Sequence, residues 1–210
     1  MLVFADPELA YIAVPKTGTT AISRALRGRA DILFTKRYKH MTARRFHGNV
    51  APFLKEFYGL DIASMAVMRD PEETARSWYR FRQRNPNSKS GKGTHVMSFD
   101  EFVLDIISKS PSPAAKIGSQ INMLTSHGEV VVNHLFSYDA MPVFLDFLET
   151  RFGEPIIPQQ MNVSPQIDAP LSPKIRTALR DARAEEFALY DRLQKAGGYL
   201  HTAPAAVQDT

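Results

Sequence analysis

Residues 11–20 read Tyr11-Ile12-Ala13-Val14-Pro15-Lys16-Thr17-Gly18-Thr19-Thr20, an apolar run that breaks at a proline into Lys-Thr-Gly-Thr-Thr. Ala21-Ile22-Ser23-Arg24-Ala25-Leu26 follows, with its apolar residues at helical spacing. The stretch predicts a strand, an anion-holding loop and a helix N-terminus. Backbone N–H groups in a helix's first turn have no intrahelical acceptor. With the hydroxyls of Thr19 and Thr20 and the ammonium of Lys16, they form a cradle for phosphate-like oxygens. Taken alone, the same residues also fit an ordinary strand-to-helix turn with a threonine cap and a solvated lysine.

Residues 9–14 and 63–68 are short apolar runs bounded by breakers, as expected of buried parallel strands; 32–35 and 130–136 are weaker strands. Helical patterns cover about 19–27, 42–57, 72–84, 99–107, 115–125 and 141–152. A last helix spans about 172–195, with a proline in its first turn and Gly197-Gly198 beyond its end. Strands alternating with helices predict an α/β chain, a three-layer α/β/α arrangement around a central, mainly parallel sheet. The length fits one domain over residues 1–200, with a flexible tail over 201–210. Residues 85–95, 108–113 and 154–173, the last with five prolines, read as irregular. Ser88 to His95 reads as a basic, glycine-containing loop, either a flap or a solvated turn.

The net charge of +4 conceals an asymmetry. Residues 1–95 hold 17 Lys and Arg against 8 Asp and Glu, whereas residues 96–210 hold 9 against 14. Positions 16–55 carry ten basic residues and one acid, Asp31. The half with the anion loop is thus the basic half, which favours an anionic ligand. No helix-turn-helix, zinc finger or aromatic RNA-binding signature accompanies it, so no nucleic-acid partner is expected. The absence of cysteine excludes disulfides, thiolate metal sites and thiol nucleophiles. Asp6 and Glu8 stand where a signal peptide would be basic and then apolar. The expectation is a cytoplasmic protein without a membrane span.

A second motif, Arg69-Asp70-Pro71-Glu72-Glu73-Thr74-Ala75-Arg76-Ser77-Trp78-Tyr79, follows the strand at 63–68. It puts Arg69 at the carboxyl end of a parallel strand, where ligands bind in open α/β sheets, and Ser77 about two turns into the next helix. An arginine fork and a hydroxyl converging there suit a terminal phosphate. Order and spacing after the first loop favour this over an arginine beside a helix capped by Asp70.

Together the two motifs resemble the sulfotransferases that use 3′-phosphoadenosine 5′-phosphosulfate (PAPS), most closely their carbohydrate-acting branch. Val14 to Thr20 is similar to that family's 5′-phosphosulfate loop, and Val67 to Pro71 with Ser77 to its 3′-phosphate motif. Weaker similarity runs through Lys36 to Ala43, Ser137-Tyr138-Asp139, Asn162-Val163-Ser164 and the last helix. The resemblance implies a P-loop-NTPase-like sulfotransferase fold and PAPS as co-substrate. It implies that Lys16 stabilises the departing phosphate, that Thr17, Gly18, Thr19 and Thr20 bind the phosphosulfate, and that Arg69 and Ser77 hold the 3′-phosphate. The scheme moves a sulfuryl group in line to a hydroxyl of a carbohydrate-like acceptor, an acidic glycan among the candidates, and requires no metal.

The acceptor hydroxyl needs a base. His40, in Lys39-His40-Met41-Thr42-Ala43, is the first candidate, matching the family branch's segment for a histidine base; His47 is the second. Lys36, Arg37, Lys39, Arg44 and Arg45 surround it and fit an anionic glycan or a solvated face. Trp78, Tyr79 and Phe81 fit a ring-stacking surface or core. Three departures from the family pattern stand out: Thr74 where a basic residue is common, Thr19 where a second loop glycine is common, and no recognisable adenine-side glycine motif. Two rival readings remain. A nucleotide kinase or NTPase would want its lysine after the last loop glycine and a carboxylate for magnesium, and Asp70 is the available one. A non-catalytic nucleotide- or acidic-polysaccharide-binding protein would keep the cradle without transfer.

Overall fold

The four residues Ala5–Glu8, closed by the Glu8 N–H donating to the Ala5 carbonyl at 3.1 Å, turn β1 (Leu2–Phe4) back beside β2 (Leu9–Ile12). So short a connection permits only antiparallel pairing. α1 (Thr19–Leu26) then leads to β3 (Ile32–Leu33), and α2 (Ala43–Arg45) continues through a π turn at Phe46–Val50 into α3 (Ala51–Tyr58). β4 (Ala63–Met68), α4 (Pro71–Arg82), α5 (Phe99–Ile106) and α6 (Gln120–Leu124) come next. A two-stranded hairpin, β5 (Thr125–Ser126) and β6 (Glu129–Val130), precedes β7 (His134–Ser137) and α7 (Met141–Phe152). The chain closes with α8 (Pro173–Ala182), α9 (Ala184–Lys195) and β8 (Tyr199–His201). This computed structural model describes residues 1–83, 93–159 and 167–203. Residues 88–92 of the basic loop, the Asn162-Val163-Ser164 segment and residues 204–210 of the tail lie outside the described residues.

The main sheet runs β3-β1-β2-β4-β7-β8. Only β2/β4 and β4/β7 are parallel; β3/β1, β1/β2 and β7/β8 are antiparallel. The mainly parallel sheet, and with it the P-loop-like architecture, is therefore corrected to a mixed, mostly antiparallel one. Each added antiparallel pair has a local cause. Leu2-Val3-Phe4 is too short to stand out as a strand, yet its turn fixes it beside β2. β3 pairs with this new edge, Leu2 opposite Leu33. Gly197-Gly198 ends α9 but also reverses the chain into β8, antiparallel to β7 with Phe136 opposite Tyr199. The run at 130–136 divides between the small hairpin and β7.

Two compact units emerge from the contacts: Met1–Arg69, Gln120–Met161 and Tyr190–Thr210 in the first, Asp70–Ser119 and Asn162–Leu189 in the second. In the first, Leu9, Tyr11 and Ala13 alternate onto the sheet face that packs against Ile22 and Leu26 of α1 and Phe144 and Leu148 of α7. Their alternates Ala10 and Ile12 are fully buried too, which explains the continuous apolar run. In the second, Tyr79, Phe99, Phe102, Ile106, Leu179 and Phe187 form an all-helical core. Here Asp70 caps α4 by accepting from the Glu73 N–H at 2.9 Å, and Ser98 and Glu101 form a capping box on α5. The expected last helix is two helices, broken at Arg183, whose φ of −121° and ψ of 30° leave the helical range. Among the described residues no helix is long and apolar enough to cross a membrane.

Gly198 has φ +85°, and a Cβ there would lie 2.4 Å from the Ala140 Cβ, whereas Gly197 at φ +74° has open space around it. Gly198→Ala should lower the unfolding free energy by about 3 kcal/mol through overlap plus left-handed strain, and Gly197→Ala by only about 1. Urea unfolding of both variants measures this; equal losses would contradict the close approach.

Candidate functional site

β2, β4 and β7 run parallel, so the segments leaving their carboxyl ends start from one edge of the sheet. After β2 comes the loop from Lys16 to Thr20. Its Thr17 hydroxyl, fully buried, donates to the Val14 carbonyl at 2.8 Å and ties the loop to its own base. That hydroxyl thus bridges the loop internally, and Thr19 and Thr20, which open α1, carry the remaining two. Lys16 has φ +70° and Gly18 φ +73°. The left-handed backbone costs a non-glycine residue of order 1 kcal/mol, so Lys16 is held there by its surroundings. Gly18 is the N-cap of α1 and supplies no side-chain cap, leaving the first-turn donors to the backbone's own surroundings.

After β4 comes Arg69. Its guanidinium lies 4.8 Å from the ring centroid of Tyr138, the residue that follows β7. The same ring approaches the loop: a Cβ on Gly18 would stand 3.4 Å from Tyr138 Cε2. Tyr138 therefore links the two sequence motifs, on one side as a cation–π partner and on the other as a packing surface. The Arg69 backbone is clamped by the buried Gln120 side chain, whose Oε1 accepts from the Arg69 N–H at 2.9 Å while its Nε2 donates to the Arg69 carbonyl at 2.7 Å. Below Tyr138, the Ser137 hydroxyl accepts from Gln194 Nε2 at 2.8 Å, and the Tyr190 hydroxyl donates to Asp139. Burial, reinforced by Asp139, pushes the Tyr190 phenol up to about 12.

His40 joins this edge. Its Nδ1 lies 2.6 Å from the carbonyl of Ala13, the residue just past β2. A carbonyl only accepts, so Nδ1 carries the proton and Nε2 keeps the lone pair. The imidazole reaches solvent, yet partial desolvation, with the neighbouring Lys39 charge, lowers its pKa below 6.5. His47 goes elsewhere. Its Nε2 meets the Ser64 hydroxyl at 2.8 Å near the amino end of β4, in a cluster where Asn133 Oδ1 accepts from the Ser64 N–H at 2.7 Å. The structure thus gathers Lys16, Thr17, Gly18, Thr19, Thr20, Arg69 and His40 in one unit and sets His47 beside the amino end of β4. Ser77 lies in the second turn of α4, in the other unit.

Several basic and aromatic residues near the second motif are committed to folding. Arg76 pairs with Glu72 at 2.8 Å and with Glu73, and its Nε donates to the Ala169 carbonyl at 3.1 Å. Arg176 also pairs with Glu72. Tyr79 is core and donates to the Met97 carbonyl, while Trp78 packs against that core under the Arg82 guanidinium. Gln120 had no sequence signal, since a lone glutamine in a helical pattern reads as surface; Tyr138 stood only within the weakly similar Ser137-Tyr138-Asp139.

Comparison of the chain with protein-family models, with curated proteins and with solved structures gives no match.

Gln120→Leu would strand two partly buried backbone groups of Arg69 at little change in volume. It should lower the unfolding free energy by about 2 kcal/mol, measured by urea unfolding, and a loss below roughly 0.5 kcal/mol would contradict the clamp.

Proposed function

We propose that the chain is a sulfotransferase that binds PAPS across the Lys16 loop and Arg69 and moves its sulfuryl group to a hydroxyl of a carbohydrate-like acceptor. The observation that carries this reading is the meeting, at one sheet edge, of a left-handed lysine loop, an arginine stacked on Tyr138, and a histidine with a free-standing Nε2 lone pair. A ring that carries the Arg69 guanidinium and packs on Gly18 of the lysine loop suits a donor with two separated anionic ends. The residues fit the donor: backbone N–H groups and Lys16 for the phosphosulfate, a guanidinium fork for the 3′-phosphate.

In this scheme the acceptor oxygen attacks sulfur, the bond from sulfur to the bridging phosphate oxygen breaks, and the acceptor proton passes to His40 Nε2. The products are a sulfate ester and 3′-phosphoadenosine 5′-phosphate. Lys16 neutralises charge that grows on the leaving phosphate, and the first-turn donors of α1 act in the same sense. The Nδ1 bond to Ala13 fixes the tautomer needed for a base. Asp70, the carboxylate a magnesium-dependent phosphoryl transfer would draw on, is engaged as the cap of α4.

Calorimetry should show 3′-phosphoadenosine 5′-phosphate binding at least about tenfold more tightly than ATP with magnesium, and the reverse preference would overturn the reading. In transfer assays over glycans and simple alcohols, Lys16→Ala should cost on the order of 10² in kcat and His40→Ala 10² or more; unchanged transfer in both would refute the assignment. Because the base works as the neutral imidazole and its pKa is lowered, kcat/KM should rise through a single ionisation below pH 6.5 and be flat above it. A profile still climbing above pH 7.5 would point to another base.

A further inference from the structure

Residues 43–58 form one helical stretch whose inner face, Ala43, Phe46 and Leu54, is buried. Its outer face is unusual. Phe53, Phe57 and Tyr58 are 47 %, 66 % and 66 % exposed, although burial of such rings is the norm. The rings touch one another, Phe53 to Phe57 at 5.1 Å between centroids and Phe53 to Tyr58 at 5.9 Å. They form a small apolar knob at the end of α3 rather than scattered single residues.

The knob's row leads back to an arginine. Positions 45, 49, 53 and 57 recur every fourth residue, so Arg45 and Asn49 lie up the same side of the helix as Phe53 and Phe57. Rows of this spacing drift by about 40° per step in an α-helix. The wider π turn at Phe46–Val50 reduces that drift over its length. Beyond Arg45 stands Tyr38, 38 % exposed, with the Arg37 guanidinium 4.8 Å and the Arg45 guanidinium 5.7 Å from its ring centroid. Residues 36–58 hold six Lys and Arg against one acid, Glu56. Of the six, Lys55 also pairs with Asp61 at 3.4 Å, both largely exposed.

We propose that this face docks the protein on an anionic lipid surface, with Phe53, Phe57 and Tyr58 entering the headgroup boundary and Arg37 and Arg45 over the phosphates. Three features favour a bilayer. Aromatic rings with adjacent Lys and Arg are the side chains that settle at the membrane–water boundary. The charge complements anionic headgroups and not a second, equally basic copy of the same face. The knob is the convex outer side of a helix, and a fluid surface accepts protruding rings without a matching cavity. The inference concerns where the protein sits and does not depend on the reaction assigned to it.

The test is co-sedimentation of the full chain with phosphatidylcholine vesicles with and without phosphatidylserine. Binding is expected only with phosphatidylserine and should weaken as salt rises. Phe53→Ser/Phe57→Ser should weaken it by about tenfold or more. Arg37→Ser/Arg45→Ser should weaken it more than tenfold, at about fivefold per charge. An independent readout uses Phe57→Trp, whose emission should shift to the blue only on phosphatidylserine vesicles. The proposal is overturned by equal binding to both vesicle types, by an aromatic variant that binds as tightly as the unaltered chain with no shift of Phe57→Trp, or by sedimentation velocity showing a dimer that Phe53→Ser/Phe57→Ser dissolves.

Discussion

Two parallel strand pairings, Leu9–Ile12 against 63–66 and 65–68 against His134–Ser137, set what this molecule can do. Parallel strands end on the same side. The loop after Ile12, Arg69 after Met68, and Tyr138 after Ser137 therefore leave from one edge within a few ångströms per strand spacing. The antiparallel strands β3, β1 and β8 extend the sheet on either side, so a mostly antiparallel sheet still presents one short parallel segment whose carboxyl ends lie together. The general expectation for carboxyl ends of parallel strands needs only those three neighbours.

The polar groups at that edge are positioned mainly through the backbone. Thr17 ties the loop to Val14, Gln120 clamps both backbone groups of Arg69, and His40 is oriented by the Ala13 carbonyl. Backbone anchors fix where the side chains of Lys16 and Arg69 start. They also explain the left-handed φ of Lys16: a loop with both ends tied can hold a conformation that costs an isolated residue of order 1 kcal/mol. Tyr138 contributes in two directions at once, and a smaller residue there would uncouple Arg69 from Gly18.

Strong local signals carried over from sequence to structure. Residues 63–68 form the expected strand and 141–152 the expected helix, because each is bounded by unambiguous breakers. The lysine loop and Arg69 stand out as cations at strand ends, and His40 as a histidine within a basic segment. The sheet's direction was hidden because it depends on Leu2–Phe4 and Tyr199–His201, three-residue strands whose pairing arises from turns, not from their own pattern. Helix 172–195 looked continuous because Arg183 carries no breaker. His47 is the second candidate base by sequence, on the helical spacing it shares with His40; the π turn and the Ser64 hydroxyl place it near the amino end of β4. Gln120 and the Ala13 carbonyl were invisible, since a backbone acceptor and a buried amide have no sequence signature.

The central claim is that one nucleotide spans the Lys16 loop and Arg69. A crystal structure of the chain with 3′-phosphoadenosine 5′-phosphate tests it most directly. The account predicts the 5′-phosphate on the backbone N–H groups of residues 17–20 beside Lys16, and the 3′-phosphate on the Arg69 guanidinium. A nucleotide seated away from this edge, or one that leaves Lys16 and Arg69 untouched, would contradict it.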